Sequence, residues 1–85
     1  MESRVAVIGI VVENPGAADR LNAILHEHAA YILGRMGIPY RERGISIISI
    51  AVDAPQDVIS SLAGKLGNVP GLSVKTAYSG VQNEQ

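Results

Sequence analysis

The chain has 85 residues with seven basic and eight acidic side chains, a net charge of −1, 47% apolar residues, and no Cys, Trp or Phe. This balance lacks the broad positive field that holds phosphate backbones, so direct nucleic-acid binding is not expected. The missing cysteines exclude a disulfide framework, thiolate metal ligation and thiol nucleophilic catalysis.

The length fits one domain over residues 1–80 with a frayed tail at 81–85, and a thin core of Val, Ile, Leu and Ala. The high apolar content implies that a second copy of the chain covers part of this surface. Met1-Glu2-Ser3 carries no basic leader, and the apolar runs are too short to cross a bilayer. The expected location is the cytoplasm, with no membrane contact.

Residues 4–12 read as a strand, with Val5, Val7 and Val11 on one face and Ala6, Ile8, Ile10 and Val12 on the other. Apolar residues on both faces suit the middle of a sheet. Glu13-Asn14-Pro15-Gly16 then turns into a helix-periodic stretch from Ala17 to His28, with Ala17, Leu21, Ile24, Leu25 and His28 on one face. Asn14 suits the helix cap and Pro15 the first helical position. From about Ala30, Tyr31, Leu33 and Arg35 alternate with Ile32, Gly34, Met36 and Ile38. A second strand is expected there rather than a longer helix, because Gly34 and Gly37 weaken a helix and Pro39 ends one.

Residues 39–44 form a polar hairpin connection in which Gly44 can take a positive φ. A third strand follows over 45–53, with Ile45, Ile47, Ser49 and Ala51 opposite Ser46, Ile48, Ile50 and Val52. Pro55 opens a second helix with Val58, Ile59, Leu62, Ala63 and Leu66 on its apolar face, and Gly67 is placed to terminate it. After Pro70-Gly71, Leu72, Val74, Thr76 and Tyr78 alternate with Ser73, Lys75 and Ala77 as an edge strand guarded by lysine.

The order βαββαβ predicts an α+β, ferredoxin-like (ACT-like) sandwich: a four-stranded antiparallel sheet with two helices on one face. In that topology the first and third strands are central, as their two-sided apolar patterns require. The other face of the sheet would be bare in a monomer, which implies a homo-oligomer, dimer or tetramer.

Glu13-Asn14-Pro15-Gly16-Ala17 resembles the acidic-x-Pro-Gly turn of ACT domains, regulatory modules that bind amino acids or similar ligands at oligomer interfaces. More closely, Leu25-His26-Glu27-His28, Gly34-Arg35-Met36-Gly37-Ile38-Pro39-Tyr40, Asp53-Ala54-Pro55 and Gly64-Lys65-Leu66-Gly67 resemble the small family described as regulators of the iron-only hydrogenase system. That resemblance implies a regulatory role, with no cofactor or catalytic set attached.

The helix N-terminus at Asn14, Gly16 and Ala17 offers converging N–H groups and close backbone approach, and with Arg35 it forms the candidate ligand-binding set. The ACT resemblance implies the same turn, used with a neighbouring subunit. Arg35, Arg41 and Arg43 gather around the hairpin and can hold a carboxylate or phosphate, although Glu42 among them also offers local ion pairs.

His26 and His28 are the candidate metal ligands. Residues two apart on a helix point to opposite sides, whereas chelation from one helix uses i and i+4, so no metal is assigned. Nickel-responsive regulators carry a related ACT-like domain, and a metal-responsive sensor is the alternative function. Here the later histidines and the cysteine of that site have no counterparts after His28.

Triads, paired carboxylates near His, phosphate loops and dinucleotide fingerprints are absent, so an enzyme of ferredoxin-like fold ranks last. The expectation is a regulatory module for a small effector or a protein partner.

Overall fold

The computed structural model describes residues 2–80, and the tail expected to fray lies outside the described residues. Strands β1 (Arg4–Val12), β2 (Ile32–Tyr40), β3 (Ile45–Ala54) and β4 (Leu72–Tyr78) alternate with helices α1 (Ala18–Glu27) and α2 (Gln56–Gly67) in the order βαββαβ. The strands form one antiparallel sheet in the spatial order β2-β3-β1-β4, with β1 and β3 central. This is the ferredoxin-like α+β arrangement that the hydrophobic pattern predicts.

Side-chain alternation in the central pair divides the sheet into two unlike faces. Ala6, Ile8 and Ile10 of β1 pair with Val52, Ile50 and Ile48 of β3, and all six are buried. Leu21 and Leu25 of α1 and Ile59, Leu62 and Leu66 of α2 close over them into one core. Each of these large side chains contributes about 1.5–3 kcal/mol by leaving water.

The opposite face has no helix. Val5, Val7 and Ile47 stand there 47%, 43% and 43% exposed, and Met36 and Ile38 of β2 extend the apolar surface at 62% and 55%. Among the described strand residues only Asp53 and Lys75 carry charge on this face, one of each sign, as the pairings Val5↔Asp53 and Gly9↔Lys75 require.

One expected alternation fails. The pairing Ile32↔Val52 is followed by Gly34↔Ala51, so β2 carries a bulge at Leu33. Parity flips across it. Ile32 lies on the helix face together with Arg35, Gly37 and Pro39, while Gly34, Met36, Ile38 and Tyr40 lie on the open face. The unbroken alternation read from the sequence had placed Arg35 opposite Ile32.

The helix ends also differ in detail. A 3-10 turn, Pro15–Ala17, precedes α1, and His28 is the residue that caps its end. Gly67 is the last residue of α2 and keeps a negative φ, followed by a right-handed Asn68, so it does not act as a left-handed stop. The left-handed glycines are Gly44, as expected, and Gly71 at φ 92°.

Gly71 is held by the turn after β1. The Glu13 N–H donates to the Gly71 carbonyl at 2.7 Å, and the Ser73 hydroxyl donates to the Glu13 carboxylate at 2.6 Å. At the other end of the sheet, Arg4 lies 4.2 Å over the Tyr78 ring, and Gln56 Nε2 donates to the Tyr78 hydroxyl at 2.7 Å.

A Cβ on Gly71 would sit 2.7 Å from the Asn14 Cβ, in a backbone conformation that already disfavours L residues. Gly71→Ala is therefore expected to cost about 2–4 kcal/mol, combining left-handed strain with overpacking. Gly64→Ala, in open space on α2, should instead stabilise by about 0.5–1 kcal/mol. Urea denaturation of the two variants beside the parent protein measures both, and equal midpoints would contradict the account.

Candidate ligand-binding site

The helix face of β2 carries little bulk beyond Ile32, because Arg35 is polar, Gly37 has no side chain and Pro39 is compact. The short α1 therefore does not seal against this edge strand. A groove of about 490 Å³ remains between them, lined by Val12, Pro15, Ala18, Leu21 and Asn22 on one side and by Arg35, Pro39, Arg41, Gly44, Ile45, Ser46 and Ile48 on the other. A second depression of about 360 Å³ continues along α1 past Asn22, Leu25, His26, Ala29, Ile32 and Arg35. Asn22 and Arg35 border both.

Of the residues singled out in the sequence, Arg35 lines the groove, whereas Asn14, Gly16 and Ala17 are not part of its lining, although their chain neighbours Pro15 and Ala18 are. The turn uses its own donors. Asn14 Oδ1 accepts from the Gly16 N–H at 2.9 Å, and the Asn14 carbonyl accepts from the Ala17 N–H at 2.9 Å. The Ala18 N–H is bonded to the Pro15 carbonyl. A Cβ on Gly16 would lie 3.3 Å from Asn14 Oδ1, so the space left by this glycine holds the Asn14 side chain. Ala17 is buried. The turn is thus a rigid, internally satisfied corner.

The hairpin supplies the charge. Arg41 begins a 3-10 turn, Arg41–Arg43, closed by Gly44, and reaches the groove, whereas Arg43 is not part of its lining. Among the described residues the one ion pair is Lys65 to Glu27 at 3.7 Å between the helices, and it is well exposed. The guanidinium groups of Arg35 and Arg41 have no carboxylate partner there, and the local pairing with Glu42 does not form. Among the described residues no acidic side chain lines either depression.

The histidines do not converge. His28 Nδ1 lies 2.9 Å from the Ile24 carbonyl, while His26 borders the second depression. Among the described residues no group of three or more His, Cys, Asp or Glu side chains is placed to hold a metal ion. No helix of the described residues is long and apolar enough to cross a membrane.

Sequence reasoning identified Arg35 and Arg41 but missed Asn22, Ser46 and Ile45. Their sequence signal was weak. Asn22 lies off the apolar face of its helix, and Ser46 is one polar residue in an apolar strand.

A one-sided, antiparallel β2-β3-β1-β4 sheet with its groove beside the first helix defines a ferredoxin-like, ACT-like domain. Residues 4–76 match the TM1266-like family, described as "Iron-only hydrogenase system regulator, putative", and the chain belongs to that family. It is similar to the uncharacterized protein TM1266 from Thermotoga maritima, at 37% identity and a TM-score of 0.87, covering 91% of this chain and 98% of that one. The C-terminal domain of the MgtC protein from Mycobacterium tuberculosis shares the fold at 14% identity and a TM-score of 0.70, covering 95% and 94% of the two chains. The divalent ion tolerance protein CutA1 from Ehrlichia chaffeensis does so at 14% and 0.52, covering 99% and 89%. No curated protein matches the chain.

Because Asn14 Oδ1 ties down the corner at the end of the groove, Asn14→Ala is expected to lower stability by about 1 kcal/mol. Asn14→Asp, which keeps an oxygen acceptor, should recover most of that loss. Chemical denaturation with circular dichroism separates the two, and an Asp variant as unstable as the Ala variant would rule out the hydrogen bond as the cause.

Proposed function

We propose that this chain is a non-catalytic regulatory module that assembles through its open sheet face and holds a small effector beside α1. The observation that carries this reading is the division of labour in one sheet. Among the described residues one face is uncovered and apolar around Val5, Val7, Met36, Ile38 and Ile47, and the other ends in a groove with two arginines that no described carboxylate pairs. A contiguous apolar surface on so small a domain suits a partner, and a second copy satisfies it most simply. In a two-fold pairing, Asp53 and Lys75 allow opposite charges to meet at the margins of an otherwise uncharged patch.

The effector set is Arg35 with the groove wall, closed by the corner Asn14, Gly16 and Ala17. The family description supports a regulatory role connected with an iron-only hydrogenase system. A protein partner of that system would be the recipient of the signal, and the cytoplasm its setting. A nickel-type sensor has less support, because the His28 ring faces the Ile24 carbonyl and His26 lies apart from it.

Sedimentation of the wild type at about 10 μM should give a dimer or tetramer. Ile47→Asp places a charge on the open face without touching the core, and should yield an 8.9 kDa monomer with unchanged far-ultraviolet circular dichroism. A monodisperse wild-type monomer would remove the assembly reading.

A further inference from the structure

We infer that the groove between α1 and β2 takes an aliphatic carboxylate and discriminates against α-amino acids, a refinement that rests on the effector reading above. Two arginines line it. Arg35 projects on the helix face of β2, a consequence of its pairing with Ile50, and Arg41 comes from the turn that follows the same strand. Neither is neutralised by a carboxylate among the described residues. A planar fork of N–H donors matches a carboxylate's two oxygens, and an anion bound there would supply the missing counter-charge.

The rest of the lining is largely apolar, with Val12, Leu21, Ile45 and Ile48 contributing aliphatic surface. A volume of about 490 Å³ falls within the range of roughly 300–1,000 Å³ that small-molecule sites occupy. An aliphatic body beside the charged head would displace water from that surface.

The neutral polar groups, the Asn22 amide and the Ser46 hydroxyl, can each both donate and accept hydrogen bonds. What is missing is equally informative. An α-ammonium group would enter beside two cations with no acidic side chain among the described residues lining either depression, so the like-charge repulsion would not be offset by a counter-charge. The same body without the amino group meets no such repulsion.

Three ligands sharing one 3-methylbutyl body test this on the native, unmodified chain by isothermal titration: 4-methylpentanoate, leucine and 3-methylbutylamine. The expected result is saturable binding of 4-methylpentanoate, leucine weaker by about tenfold or more, and no heat from the amine. Arg35→Gln and Arg41→Gln should each weaken the carboxylate about tenfold. Ala18→Phe, which fills the groove from the α1 side, should abolish it, with circular dichroism verifying the fold of each variant.

Leucine binding as tightly as 4-methylpentanoate would overturn the inference. So would undiminished binding to Arg35→Gln, or no carboxylate binding at about 10 mM. A parallel thermal-shift panel of nucleotides and inorganic anions separates this failure from that of the wider reading. A hit lost in Ala18→Phe keeps the groove as an effector site while the carboxylate class falls, and a panel without any such hit removes both.

Discussion

The structure depends on the two-residue parity of the central strands. Because Ile8 faces Ile50 and Ile10 faces Ile48 across β1 and β3, a single registration fixes which side chains go under the helices. A slip of one residue would exchange every buried Ile for Val5, Val7 or Ile47 and their neighbours. The apolar residues on both sides of these strands make that choice less one-sided than in an ordinary amphipathic sheet. Corner restraints then reinforce it: the Glu13–Gly71 hydrogen bond at one end, and the Arg4, Gln56 and Tyr78 cluster at the other.

With two short helices over four strands, coverage is uneven. The α2 side closes tightly, with Ile59, Leu62 and Leu66 almost wholly out of water. The α1 side does not, since the edge strand beneath it presents an arginine, a glycine and a proline where a core would need bulk. The groove is therefore a consequence of composition at alternate positions of β2. The same strand places its large apolar residues, Met36 and Ile38, on the opposite face.

Much of this was legible before any coordinates. The long apolar strands, the Asn14-Pro15 helix start, the left-handed Gly44 and the central placement of β1 and β3 each follow from local chemistry acting over a few residues. Three features were not. The bulge at Leu33 is a pairing irregularity, set by the partner strand and invisible in a single segment's alternation. The end of α2 read as a glycine stop, but Gly67 stays right-handed because the chain turns later, at Gly71, where Asn14 leaves no room for a Cβ. The groove joins residues from α1, β2 and β3, so its lining emerges only when those elements are assembled. Arg35 and Arg41 were visible as a cluster, but the absence of a carboxylate beside them was not.

The bulge has a bearing on how such a sequence can change. Every position after Leu33 takes its face from its partner in β3, and the one extra residue only breaks the count from Ile32. Deleting Leu33 would close the bulge and leave Gly34↔Ala51 and Arg35↔Ile50 paired as they are, so Arg35 would stay beside the groove and Met36 and Ile38 on the open face. Substitutions in β2 alter one surface at a time. A deletion at Leu33 is absorbed by the bulge and alters neither, so the length of the strand can change there while both surfaces persist.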